Sequence, residues 1–587
     1  MNILGISCYY HDAAAALLRD GVLVAAAQEE RFSRIKNDPS FPLRAIQFCL
    51  ATGGIKPQDV DYVVLHEKPM LKLERFLTST LAYWPKAGSL FQDGSISWMK
   101  QKLWIRARVT EELGIPREKI LFVEHHVSHA ASAFFCSPFE DAAVLTVDGV
   151  GEWATATTGV ATSSPCEIKL SHEMRFPDSL GLLYSTFTAF LGFEVNEGEY
   201  KVMGMAPYGE PRYLERLLKV AHLFDDGSVR LEPSYFSYQY SSQHSFSRRF
   251  VDLFGMPRDP KLEFVTGRAD TGQGPEELMR RNQHYADVAA SVQQFTEQAL
   301  VKMATHLQRT TGVRNLCLAG GVALNSVANT KLLRNAGFEQ IFIQPAAGDA
   351  GAALGAAQYL WHVLLGKPRS FVMEHAYWGQ EFSESQISAA LAGTGAQQIE
   401  SESELISRAV EDLTAGKVLG WFQGQFEWGP RALGNRSILA DPRRKEMKKV
   451  VNRKIKFREP FRPFAPVLPE EYVRRWFEAP AGVERQYPPR FMLMVVPWKE
   501  DAGKQVPAVN HLGTGRLQSL RREWNPRYYS LVETFGQATG VPVLMNTSFN
   551  VRGEPMVGSP QDALRTFQKS GLDVLYAGNY RLEKRTV

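Results

Sequence analysis

His125 and His129 stand four residues apart in VEHHVSHAASA (123–133), directly after the apolar run ILFV. If the Ala-rich continuation is a helix, positions i and i+4 share one face, the spacing with which two imidazoles grip one metal ion. Two buried, hydrogen-bonded histidines are the alternative, so other acids must decide between them. Asp148 ends the run AAVLTV ahead of Gly149, and Asp349 follows IFIQP in PAAGDAGAALGAA. Carboxylates at strand ends point into a cleft rather than into the core. With two imidazoles they complete a mixed N/O set suited to a borderline divalent metal, and zinc and iron both fit it. Beside glycine, each Asp also suits a turn or a helix cap.

The elements that must carry these residues read as alternating α/β. ILGISCYYHDAAAALLRDGVLVAAAQEE gives two apolar runs around an RDG turn, as a strand and hairpin would. AVLTVDGVGEWATATTGVATSS repeats the pattern and implies a duplicated unit. Helix-like RAIQFCLATGG and SWMKQKLWIRARVTEELG and strand-like VDYVVLH lie between the copies, an order typical of a layered sheet with helices on its faces. NLCLAGGVALNSVANTKLL and QIFIQPAAGDAGAALGAAQYLW each add a strand, a Gly-rich turn and a helix, the setting in which phosphates bind, although neither matches a Walker or Rossmann pattern. After about residue 365 the texture shifts to Arg, Pro and aromatic residues, which divides the chain into domains 1–365 and 366–587. Residues 212–274, rich in Ser, Tyr and Asp, read as an insertion that shapes the cleft.

A chain of 587 residues is too long for one core, and 44% hydrophobic with 22% charged residues is the composition of a globular protein. The net charge of +4 argues for neither a nucleic-acid nor a membrane partner. Basic residues cluster in RRKEMKKVVNRKIKFREPFR and GRLQSLRREWNPR, where interleaved Phe and Pro imply that some cations are packed in place. The five cysteines are scattered without a CxxC pair, which reads as a reduced chain lacking a disulfide framework. No export signal precedes MNILGIS, and GAALGAAQYLWHVLLG is too short and mixed to span a bilayer, so the expected location is the cytoplasm.

The motifs together resemble the NodU/CmcH family of ATP-dependent O-carbamoyltransferases, whose members modify antibiotics, toxins and signalling molecules. They are YYHDAAAALL (9–18), EERFSR (29–34), HHVSH (125–129), VDGVGE (147–152), GEYKVMGMAPYG (198–209), AGGVALN (319–325), GDAGAALGAA (348–357), EWGPRALGNRSILADPR (427–443), KFREPFRPFAP (456–466) and NTSFNVRGEP (546–555). The resemblance implies an N-terminal duplicated actin-like (ASKHA, Kae-like) domain that transfers the carbamoyl group. A C-terminal α+β YrdC-like domain would form the carbamoyl-adenylate.

Carried over position by position, the resemblance implies that His125, His129, Asp148 and Asp349 hold a divalent metal, with Fe2+ favoured over Zn2+ or Mn2+. His11 would be the general base for the acceptor hydroxyl, and Asp12 would orient it or the acceptor; a capping His beside Asp12 is the plainer reading. Lys201, Gly320, Gly321 and Asn325 would hold the carbamoyl-adenylate. Arg431, Lys456, Arg516, Asn546 and Ser548 would receive carbamoyl phosphate and ATP with Mg2+, and Arg436, Arg458, Arg462 and Arg552 compete with them for that role.

The expected partners are carbamoyl phosphate, ATP and a small-molecule alcohol, with a homodimer as the assembly. Carbamoylation or threonylcarbamoylation of tRNA is a rival reading that the mild charge disfavours. A non-catalytic actin-like nucleotide switch is another, and it leaves the Arg-rich C-terminal half without a purpose.

Overall fold

The computed structural model describes residues 1–268, 270–480 and 482–584. The chain forms two compact units, Met1–Ala25 with Pro39–Val372 and Ala26–Asp38 with Met373–Val587. Both are mixed α/β.

The first unit is built on two five-stranded sheets of the same plan. One runs Val22–Gln28, Ala14–Arg19, Asn2–Ser7, Tyr62–Leu65, Ile120–Phe122; the other runs Cys166–Arg175, Ala154–Ser163, Asp141–Val147, Asn315–Ala319, Gln340–Phe342. In each, the first strand in sequence sits in the middle, antiparallel to its hairpin neighbour and parallel to the strand on its other side. The duplication expected from the two apolar hairpins is therefore present. The middle strands are buried almost throughout, which is why their apolar runs are continuous rather than alternating.

Small residues let the helices approach closely. A Cβ on Gly355 of helix Asp349–Tyr359 would lie 1.9 Å from the Ser128 carbonyl oxygen of helix His125–Phe134. A Cβ on Gly5 of the middle strand would lie 1.9 Å from the Ala353 carbonyl oxygen. Helix Asp349–Tyr359 is thus clamped between a strand and the helix that bears His125 and His129. Among its described residues the stretch 212–274 holds short elements: helices Leu214–Val220 and Arg248–Phe254, the 3-10 turn Pro233–Tyr235 and the hairpin Ala221–Leu223 with Val229–Leu231.

The second unit has one nine-stranded sheet in the order Gln397–Gln398, Tyr580–Glu583, Val574–Ala577, Leu419–Phe422, Arg436–Ala440, Leu544–Ser548, Ala465–Pro469, Thr514–Leu520, Met494–Pro497. Two neighbouring pairs are parallel, Leu419–Phe422 with Val574–Ala577 and Ala465–Pro469 with Thr514–Leu520. Helix Glu402–Thr414 buries Leu405, Ile406, Ala409, Val410 and Leu413, one stripe of a 3.6-residue repeat, in a core shared with Trp421, Tyr528, Phe535 and Tyr576.

Candidate active site

In the first unit four predicted ligands converge. His125 opens its helix and His129 follows one turn later, so both rings leave the same face. Their Nε2 atoms lie 3.0 Å apart. Asp148, just past strand Asp141–Val147, brings Oδ2 to 3.0 Å from His125 Nε2 and 3.6 Å from His129 Nε2. Asp349, the first residue of its helix, brings Oδ1 to 3.6 and 3.5 Å from the same two nitrogens. All four residues are buried.

This arrangement passes the test for a cation site. Neither Asp349 oxygen nor the Nδ1 of His125 or His129 has a hydrogen-bond partner, and the four ligand atoms lie within 4.8 Å of one another. Two facing imidazole nitrogens at 3.0 Å need a proton or a cation between them. Burial by itself would lower the His129 pKa, but the adjacent carboxylates of Asp148 and Asp349 outweigh that and raise it to about 9. Burial would likewise raise Asp148 and Asp349, yet the surrounding histidines hold both carboxyls below their ordinary range.

The backbone fixes this set. Gly321 N–H donates to Asp148 Oδ1 at 3.0 Å, and Ser179 Oγ, which caps helix Leu180–Phe190, donates to the Gly149 carbonyl at 2.7 Å. The third histidine of the motif, His126, is structural. Its ring bonds Thr146 Oγ1 at 2.6 Å and the Ala154 carbonyl at 2.9 Å, and burial, helped by the charge of the other two imidazoles, drops its pKa to about 3.

His11 lies beside the set, its Nε2 3.8 Å from Asp349 Oδ2 and its Nδ1 3.2 Å from Asp12 Oδ2. Asp12 occupies the left-handed region at φ 53°, a conformation that Asp tolerates better than most residues. Burial would lower His11, but Asp349 and then Asp12 raise its pKa to about 9, above the ordinary value that suits a base at neutrality. Neutralising Asp349, as a bound cation would, removes the main attraction that keeps the proton on His11.

The remaining predicted residues of this unit are more dispersed. Gly320, at φ 93°, presses against the end of strand Asp141–Val147, since a Cβ there would lie 2.2 Å from the Val147 carbonyl oxygen. Asn325 caps helix Ser326–Asn335 through Ala328 N–H at 3.2 Å and exchanges amide bonds with Gln293 at 3.1 Å. Lys201 is buried with its ammonium 5.4 Å from the Phe193 ring centre. Gly321 and Asn325 thus spend polar groups on the protein itself, Gly321 on the Asp148 carboxylate.

In the second unit the structure brings Lys456 and Ser548 together. Lys456 Nζ donates to Ser548 O at 2.8 Å, Ser548 Oγ at 3.2 Å, Asn550 O at 2.8 Å and the Asn550 side chain. Burial first, then the charges of Arg458, Arg462 and Lys36, push the Lys456 pKa well down. Burial, Arg462 and Arg516 do the same to Arg458. The predicted Lys456 and Arg516 therefore share one cationic cluster with Arg458, Arg462 and Lys36.

Asn546 precedes Ser548 by two on strand Leu544–Ser548 and so faces the same side. Its Nδ2 donates to Gln518 Oε1 at 2.7 Å and to Ala432 O at 3.1 Å, and its buried Oδ1 has no partner. Arg431 lies in a loop wound around the buried Glu427, whose Oε1 accepts the N–H groups of Leu433, Asn435 and Arg436 at 2.7, 2.8 and 3.2 Å. Arg436 itself is fully buried, bonded to the carbonyls of Gln380 and Asn435 at 3.0 Å and placed 3.9 Å over the Phe422 ring, which makes it part of the framework. Arg552 is exposed.

The carbamoyltransferase N-terminus family model matches residues 2–358, and the carbamoyltransferase C-terminus model matches residues 410–584. The chain belongs to the carbamoyltransferase family and is an enzyme that transfers carbamoyl groups. It is 44% identical to an uncharacterized protein of Synechocystis over 99% of this chain and 97% of that one. It is 38% identical to the nodulation protein NolNO of Sinorhizobium fredii over 98% of this chain and 80% of that protein, and 28% identical to nodulation protein U of Rhizobium tropici over 94% and 91%. Among solved structures, HypF of T. kodakarensis matches 62% of this chain and 48% of its own at 16% identity and a TM-score of 0.32, a likeness too slight to carry an argument.

Proposed function

We propose that this carbamoyltransferase spends ATP and carbamoyl phosphate to make carbamoyl-AMP in the C-terminal unit, then transfers the carbamoyl group to a hydroxyl of a small natural product in the N-terminal unit. The observation that carries the reading is the cluster of Lys36, Lys456, Arg458, Arg462 and Arg516. Cations gathered at this density, Lys456 buried and the other four half-buried, are stabilised best by a polyanion, and a triphosphate beside carbamoyl phosphate supplies one. We read this unit as YrdC-like and the doubled sheets of the first unit as actin-like.

The chemistry balances in two steps. Water cleaves carbamoyl phosphate to phosphate and carbamate with release of a proton, and a carbamate oxygen then attacks the α-phosphate of ATP and expels pyrophosphate. The acceptor oxygen then attacks the carbamoyl carbon, its proton passes to His11 Nε2, and AMP leaves. Asp12 accepts from His11 Nδ1–H and so keeps Nε2 free to take that proton. His125, His129, Asp148 and Asp349 would hold a divalent metal, iron before zinc or manganese, which supplies charge neutralisation and carbonyl polarisation when bound. The free thiols of all five cysteines fit a reducing compartment such as the cytoplasm.

Pyrophosphate release from ATP, measured with and without carbamoyl phosphate and with no acceptor present, tests the first half. Carbamoyl-phosphate-dependent pyrophosphate is the expected result. ADP with free phosphate, or release indifferent to carbamoyl phosphate, would sink the adenylate route.

A further inference from the structure

Helix His125–Phe134 receives no cap from its own flank. Glu124 is its N-cap residue but makes no side-chain cap bond, and its carboxylate instead pairs with Lys68 Nζ at 2.8 Å. The cap comes from Glu152, distant in sequence, whose two oxygens both accept His125 N–H at 3.1 Å. Glu152 Oε1 also accepts Lys68 N–H at 2.7 Å. Its carboxylate is buried, and the adjoining Gly151 is packed so closely that a Cβ there would lie 2.9 Å from His125 Cβ.

One carboxylate thus joins two pieces of the ligand set to a neighbouring helix. It sits on the same turn as Asp148, it holds the backbone of His125, and it anchors Lys68, the N-cap residue of helix Pro69–Ala82. That helix carries Lys72, which lies 5.1 Å from the Tyr10 ring centre, and the Tyr10 ring lies 4.5 Å from that of His11.

We propose that Glu152 is a positioning residue: by accepting the backbone N–H groups of His125 and Lys68 with one carboxylate, it sets the place of the backbone from which the His125 ring departs and fixes the helix that flanks Tyr10 and His11. A buried carboxylate at a helix N-terminus is favoured by the dipole, and the bonds that orient a ligand tune the affinity of the site it serves. The inference rests on the metal reading of His125, His129, Asp148 and Asp349.

Co2+ affinity by competition with a chelator, together with the cobalt visible spectrum, tests it on the full chain as wild type, Glu152→Gln, Glu152→Ala and His129→Ala. Glu152→Ala is expected to bind about 10- to 100-fold more weakly, the cost typical of losing an orienting partner, with a shifted spectrum. Glu152→Gln, which keeps an oxygen but loses the charge, should fall between and covers the case in which the alanine variant does not fold. Affinity and spectrum unchanged in a folded Glu152→Gln protein, even with a lower Tm, overturn the inference, because a purely structural cap would lower Tm alone. A wild type that binds no cobalt, or a His129→Ala protein that binds as well as wild type, overturns the metal reading and this inference together.

Discussion

At the scale of single residues, His125 and His129 face each other through Nε2 atoms 3.0 Å apart, with Asp148 and Asp349 closing the set. Replacing His129 with alanine removes a ligand without touching the cationic cluster of the other unit. We expect bound metal to be lost by elemental analysis while carbamoyl-phosphate-dependent pyrophosphate release persists; retained metal would refute the ligand assignment. Lys456→Met preserves shape and removes charge, and should slow pyrophosphate release by about 10²- to 10³-fold with metal content unchanged. That His125 and His129 share one face was readable in HHVSH because i, i+4 on a helix is local geometry. Glu152, Glu427 and Lys36 were not singled out, since each acts on groups distant along the chain. Glu152 and Glu427, each an acid inside a Gly-rich run, left only a local hint.

At the scale of elements, the site depends on close packing of backbones. Gly355→Val must push helix Asp349–Tyr359 off helix His125–Phe134, because any Cβ there meets the Ser128 carbonyl oxygen at 1.9 Å. Overpacking of this kind costs about 1–3 kcal/mol or more, and here it also moves Asp349 relative to His125. A lower Tm combined with weaker metal binding is the expected pair of results; a lower Tm with intact metal affinity would show that the set tolerates the shift. In the other unit, Glu427→Ala leaves three buried N–H groups without their acceptor and should cost about 2–4 kcal/mol in urea unfolding. The same variant should lose pyrophosphate release, since the loop it organises carries Arg431.

At the scale of the whole molecule, buried neutral histidines tie stability to pH. Burial lowers His362 to about 4, against the bond from its ring to the Lys367 carbonyl, and lowers His66 to about 4 as well. The unfolded chain takes up these protons near pH 6.5 while the folded chain does not, so stability falls as pH drops from about 6.5 towards 4. His362→Gln should flatten that slope in urea titrations of the metal-free protein across this window; an unchanged slope would place the linkage elsewhere. No helix among the described residues is long and apolar enough to cross a membrane.

The sequence by itself determined the alternating α/β elements, their duplication, and the residue types of both clusters, because these follow from local periodicity and from motifs that each lie within one short segment. Tertiary structure alone decided which groups are shared. It set Asp148 and Asp349 against one histidine pair, lent Lys36 to a cluster formed by residues 456–516, and spent Gly321, Asn325 and Arg436 on the protein itself. Such pairings depend on strand order and on how closely glycine lets backbones approach, and neither is written at any one position of the chain.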